Sequence, residues 1–200
     1  MSAPAPDNQQ TQYSYPDWLA QAGNIPKGQV GSSVGIPDYS KVNWPTKEEM
    51  ENLSTEALCT MVFMAATQFN EANLNADREK LRYYNDLLAG SNVVYNDASN
   101  SRTEANQKES SANTDDALIA FAQAHGIKIE SGKEYSKEDW DIHLQSIQAV
   151  QDTWIQETKL VSIDVEKNLN KAANSMQFLT AAIDSIQKRR DTVNQNLIIR

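Results

Sequence analysis

Apolar positions recur in threes and fours over most of this chain. From Val161 onward they fall at Val161, Val165, Leu169, Ala172, Met176, Leu179, Ile183 and Ile186, and the line continues through Arg190, Val193 and Leu197. Such spacing lays one narrow stripe along one face of a helix. From Leu169 the steps alternate three and four, as in the seam of a coiled coil. The two successive fours at Val161, Val165 and Leu169 predict a stutter that locally unwinds a supercoil. Ile147, Val150 and Trp154 carry the stripe upstream, and no Gly or Pro follows Gly132 to break it. A helix over 138–200 is predicted; ~60 helical residues at about 1.5 Å each would span roughly 90 Å. It cannot bury its seam against itself. It needs a partner helix in this chain, in another copy, or in both.

A second periodic stretch reads Leu58, Val62, Ala65, Phe69, Ala72 and Ala76, then Tyr83 and Leu87. Met61, Phe63 and Met64 make its first turns apolar nearly all round, the mark of deep burial or of an oligomer contact. Thr46 followed by Glu49 forms a capping-box signature, and Ser54 offers a second entry. A helix over 46–89 is predicted, with Gly90 ending or merely weakening it. Ser91–Thr114 turns to Asn, Ser, Asp, Thr and Glu, with no large apolar residue between Tyr95 and Leu118. It is expected to be a solvated region, with a polar helical extension as the alternative. Asp115–His125 reads as a short helix burying Leu118, Ile119 and Phe121 and closed by Gly126. Ile127–Glu130 alternates like a brief strand, and Ser136 with Asp139 caps the next helix. Residues 1–45 hold all six prolines and four of the seven glycines. Little apolar surface is available there to offset backbone entropy, so a disordered leader is expected. Tyr13, Tyr15, Trp18, Tyr39 and Trp44 leave the alternative that it docks its aromatics on a surface.

The fold class is therefore all-α: a long antiparallel coiled-coil helical hairpin. A small, mostly polar insertion (90–137) lies between helices 46–89 and 138–200, behind a disordered N-terminal leader (1–45). Residues 46–200 form a single coiled-coil domain. The candidate self-assembly seam comprises Leu58, Val62, Phe69, Val161, Leu169, Met176, Leu179, Ile183, Ile186, Arg190, Val193 and Leu197. Arg190 either snorkels at the surface or pairs with a carboxylate across an interface and sets register.

Net charge is −9 and the pI is near 4.7, which argues against nucleic acid and anionic membranes as partners. The short basic run Lys188-Arg189-Arg190 is offset by Asp184 and Asp191. The single cysteine, Cys59, excludes an internal disulfide and a zinc site of several thiolates. No apolar run approaches the ~20 residues of a membrane span, and no Sec signal peptide is read at the N-terminus. The two histidines, His125 and His143, fall in no metal or acid–base pattern. Asp115-Asp116 and Glu138-Asp139 sit at predicted helix starts, where the dipole accounts for them. Met61 and Met64 read as core. No phosphate loop, GxGxxG or GxSxG occurs. No catalytic residue, metal or cofactor is expected, and an enzyme is not the reading.

Ile119–Glu130, Leu144–Val150 and Asn168–Thr180 resemble, in order and spacing, segments of the translocation-filament proteins of type III secretion systems, the EspA and SseB kind. The matching segments are a short helix and turn with Ile-x-Ile, the start of the long helix, and its Met-x-x-Leu-x seam. The helix from Leu58 fits their first long helix in position, and residues 1–45 match the uncleaved leader in character. The tryptophan-rich leader and the Asn/Ser stretch at 91–114 depart from the pattern. The resemblance implies a secreted, extracellular structural subunit on the bacterial surface. It would polymerise with itself into a hollow filament on the secretion needle and conduct effectors and translocators to host cells. Its implied partners are the needle, pore-forming translocators and a cytoplasmic chaperone before export. A closed needle-tip oligomer or hydrophilic translocator, and an unrelated helical chaperone or scaffold, stand as alternatives.

Overall fold

The computed structural model describes residues 13–23 and 33–198, apart from the side chains of Ser33, Asn194 and 196–198. The chain is mainly helical. In order come β1 (Tyr13–Ser14), α1 (Asp17–Gln21), β2 (Ser33–Val34), a 3₁₀ turn (Tyr39–Lys41), α2 (Lys47–Asn52), α3 (Thr55–Lys108), β3 (Ser110–Ala112), α4 (Asp116–Ala124), β4 (Glu134–Ser136) and α5 (Lys137–Ile198). The long helices α3 and α5 form a helical hairpin. The chain divides into two compact units, one of residues up to Ile36 with Arg78–Ser162, the other of Pro37–Asp77 with Ile163–Arg200.

In the first unit α3 and α5 run antiparallel. Gln151 Nε2 donates to Ser91 Oγ (3.0 Å) and Asn92 Oδ1 (3.1 Å), Gln148 Nε2 to Tyr95 Oη (3.1 Å), and Arg102 Nε to Asp141 Oδ1 (2.7 Å). Rising numbers on α3 thus meet falling numbers on α5. The inner face of α3 is Tyr84, Leu87, Ser91, Val94, Ala98, Ser101 and Ala105, all buried and all spaced by threes and fours. On α5 the buried face is Trp140, Leu144, Ile147, Trp154 and Val161. α4 contributes Leu118 and Phe121.

Two expectations are corrected here. The helix predicted over 46–89 is broken at Leu53–Ser54 into α2 and α3, where Ser54 is the second entry. α3 does not end at 89, and 91–108 is the helical extension, the alternative to a solvated region. Gly90 costs a helix only about 1 kcal/mol, which burial outweighs. The seam then continues in Ser and Ala, residues small enough for close helix approach. The helix stops only at Glu109, a non-glycine residue at φ 72°. The leader is also not loose where it is described. Trp18 and Leu19 of α1 are fully buried. The Trp18 ring stacks on Trp154 at 5.9 Å and meets Phe121 edge-on at 4.9 Å. Gly90 makes room for them: a Cβ there would lie 2.4 Å from Leu19 Cδ1 and 3.0 Å from Trp18 Cζ3. Residues 1–12 and 24–32 of the expected leader lie outside the described residues.

Ile127–Glu130 is not a strand. The strands are instead β3 and β4, antiparallel, with Ser111 opposite Tyr135. Trp140 Nε1 donates to Ser111 Oγ (2.9 Å), which donates to the Ser101 carbonyl (2.6 Å). The Tyr135 hydroxyl accepts from Glu130 N (3.0 Å) and donates to the Lys128 carbonyl (3.1 Å), so one side chain holds the segment expected as a strand.

In the second unit the hairpin is again antiparallel. Asn70 Nδ2 donates to Ser175 Oγ (3.3 Å) and Asn168 Nδ2 to Asp77 Oδ2 (2.6 Å). Residues 37–45 lie along α3: Tyr39 stacks on Phe69 at 4.8 Å and donates to Asn73 Oδ1 (2.7 Å), while Asn43 N donates to Gln68 Oε1 (2.9 Å).

Candidate self-association surface

The hydrogen bonds of the second unit fix which face of α5 meets α3. Both contacts lie seven residues apart on each helix, Asn70 and Asp77 against Ser175 and Asn168. Counting from buried Val161, the half-buried positions are Val165, Asn168, Ala172, Ser175, Leu179, Ala182 and Ile186. These steps alternate four and three throughout, so the chain needs no stutter. Asn168, Ser175 and Ala182 occupy the places that an apolar reading assigns to Leu169, Met176 and Ile183.

The displaced residues form a line of their own. Leu169, Met176 and Ile183 are 44 %, 55 % and 38 % exposed, seven residues apart, and Arg190 continues the line. A seven-residue repeat keeps them on one side of the helix, on the shoulder of the intrachain seam. Ile163, Phe178 and Val193 are exposed on α5 as well. On α3, Leu58 is half-buried, while Val62, Met64 and Phe69 are exposed.

The twelve seam residues therefore divide. Val161 is buried, and Leu58, Leu179 and Ile186 are half-buried within the chain. Val62, Leu169, Met176, Ile183, Arg190 and Val193 are left facing outward, and partly exposed Phe69 is covered on one face by Tyr39. The side chain of Leu197 lies outside the described residues. Arg190 is exposed and forms no ion pair among the described residues.

The chemistry of this surface is burial rather than reaction. Among the described residues no group of three or more His, Cys, Asp or Glu side chains is placed to hold a metal ion. No described helix is long and apolar enough to cross a membrane. Cys59 is half-buried and takes part in no disulfide among the described residues. Both histidines belong to the first unit. Their Nε2 atoms are buried without a hydrogen-bond partner among the described residues, His125 beside Phe121 and Trp154, His143 beside Tyr135 and Trp140. Burial holds both imidazoles below their ordinary pKa; at His143 the Asp139 charge works the other way.

Sequence reasoning held the docking of leader aromatics such as Trp18 only as an alternative, and missed Trp154 and Phe121 as the partners and the notch at Gly90. The alternation of Leu87, Ser91, Val94, Ala98, Ser101 and Ala105 was the available signal, once small residues count as seam.

No family model, curated protein or solved structure matches the chain.

Proposed function

We propose that this chain is a self-associating structural subunit, and that it is the secreted subunit of a helical, hollow filament extending a type III secretion needle. The observation that carries the reading is the outward line of Leu169, Met176 and Ile183 on α5. α3 answers α5 on a different, partly polar face, so the line is left for another chain. Leu169, Met176 and Ile183 are 38–55 % exposed, so covering what remains of each is worth about half of the roughly 1.5–3 kcal/mol of full burial, a partial contribution against the cost of holding two chains together. A copy that lays this line against a different surface, such as exposed Val62 and Met64 of α3, makes a heterologous contact, and such contacts propagate into filaments when the rotation does not close; line against line gives a closed dimer. The family resemblance of Ile119–Glu130, Leu144–Val150 and Asn168–Thr180 supplies the secretory setting. In that setting an apolar line needs cover before export, which is the work of a cytoplasmic chaperone.

The test is direct. Purified protein is expected to form concentration-dependent fibres in negative-stain micrographs. Met176→Asp with Ile183→Asp is expected to abolish them while leaving thermal stability within about 0.5 kcal/mol, as exposed substitutions do. Closed rings instead of fibres would point to a tip oligomer, and monomers at every concentration would end the self-association reading.

A further inference from the structure

The first unit carries an open recess at the edge of the α3–α5 contact. It has a volume of about 350 Å³ and is lined by Tyr13 from β1, Tyr83, Tyr84 and Leu87 from α3, and Trp154 and Glu157 from α5, among others. The three tyrosine rings brace one another, with centroids 5.5 Å apart for Tyr13–Tyr83, 5.9 Å for Tyr13–Tyr84 and 5.4 Å for Tyr83–Tyr84. Trp154 is fixed from the other side by its stack on Trp18. Tyr83, Tyr84 and Trp154 are buried, while Glu157 is half-buried and makes no ion pair among the described residues.

Aromatic faces carry negative quadrupole charge and attract cations, most strongly when a carboxylate sits beside them. The Tyr84 phenol already feels such a field. Its pKa is pushed well above the ordinary value, by burial first, then by the Tyr13 hydrogen bond and the neighbouring Glu157 charge. The recess therefore offers a negative, preorganised cradle, and no Lys or Arg is among its described lining residues.

We propose that this recess receives a cationic side chain, guanidinium or ammonium, from the basic run Lys188-Arg189-Arg190 of a second copy. That run is exposed and makes no ion pair among the described residues. In a chain of net charge −9 it brings together three adjacent cations, with Asp184 and Asp191 beside them. Pairing unlike surfaces on two copies is a head-to-tail contact, and in this respect the inference rests on the self-association reading.

Two measurements on the full chain separate the parts. Methylguanidinium, titrated into dilute protein, is expected to shift the ring resonances of Tyr83, Tyr84 and Trp154 saturably. Glu157→Gln, which keeps the shape and removes the charge, is expected to weaken that binding roughly tenfold. Equal response of the two proteins, or no response, overturns the recess. In sedimentation, Lys188→Gln/Arg189→Gln/Arg190→Gln is expected to associate roughly tenfold more weakly than wild type, and Glu157→Gln likewise. Unchanged association of the triple variant overturns the second-copy source. A wild type that never associates yet binds methylguanidinium through Glu157 sinks the self-association reading, and the second-copy source with it, while the recess itself stands.

Discussion

At the scale of single residues, Gly90 shows how little space separates a helix from a notch. Alanine is the better helix former by about 1 kcal/mol, so an exposed Gly→Ala would stabilise. Here the added Cβ meets Leu19 Cδ1 at 2.4 Å, and Leu19 is fully buried. Overpacking of that kind costs about 1–3 kcal/mol. Gly90→Ala is therefore expected to lower stability by about 1 kcal/mol net and to change the fluorescence of Trp18 and Trp154. Adding Leu19→Ala should restore the helical gain at position 90, giving a coupling energy of opposite sign in a double-mutant cycle. Additive effects would show that α1 does not press on Gly90.

The two histidines make a second residue-level expectation. Burial depresses both imidazole pKa values, so the fold favours the neutral form. As pH falls below the ordinary value near 6.5, the unfolded chain binds these protons before the folded chain does. Stability contributed by the neutral rings is complete above that value. It declines through the window down to the folded pKa values, below which these groups add no further slope. Urea midpoints are expected to drop as the pH falls below about 6.5. His125→Gln and His143→Gln together should flatten that slope, whatever their effect on stability at neutral pH. An unaltered slope would place the pH dependence elsewhere.

At the scale of elements, local chemistry was legible and small-residue packing was not. Thr46 Oγ1 accepts from Glu49 N at 3.3 Å, and the Glu49 carboxylate accepts from Thr46 N at 2.8 Å, the reciprocal cap that the spacing predicts. Ser54 caps the next helix through Ala57 N at 3.2 Å, and Ser136 pairs reciprocally with Asp139. These signals are contained in four adjacent residues, so tertiary context cannot hide them. The extension of α3 to Lys108 was hidden because Ser91, Ala98, Ser101 and Ala105 pack by absence of bulk, which hydrophobicity does not register. The register of α5 was misjudged for the same reason. Leu169 outranks Asn168 as an apolar residue, yet Asn168 has the partner, Asp77. The docking of α1 depends on contacts across more than sixty residues of sequence, Tyr15 Oη to Asp86 Oδ2 at 3.0 Å and Tyr83 Oη to the Ser14 carbonyl at 3.2 Å among them. No local pattern announces such pairs. Of the candidate surface, the residues were readable and their division was not: which of them the hairpin uses follows only from the polar contacts.

At the scale of the molecule, the hairpin of the second unit sets two polar layers, Asn70–Ser175 and Asp77–Asn168, among apolar ones and leaves Leu169, Met176 and Ile183 outside. This is the reverse of a maximally stable hairpin, and it fits a chain that must keep one register while offering a face to others. A polar residue in a seam specifies register at a cost in stability. Replacing both members of such a pair by apolar groups is usually neutral or stabilising, whereas removing one leaves an orphan. Asn70→Leu with Ser175→Leu is therefore expected to raise the melting temperature of the protein by several degrees, corresponding to about 1–2 kcal/mol. It should also loosen partner choice, because an apolar layer accepts any helix face, so light scattering should show heterogeneous oligomers where the wild type gives one kind of assembly. Asn70→Leu alone should be worse than the pair. A double variant that melts lower and still assembles as wild type would mean that the Asn70–Ser175 layer holds the hairpin together rather than in register. The outward line of Leu169, Met176 and Ile183 would then lose its simplest explanation, that specificity inside the hairpin was kept polar so that the apolar contacts could be made between chains.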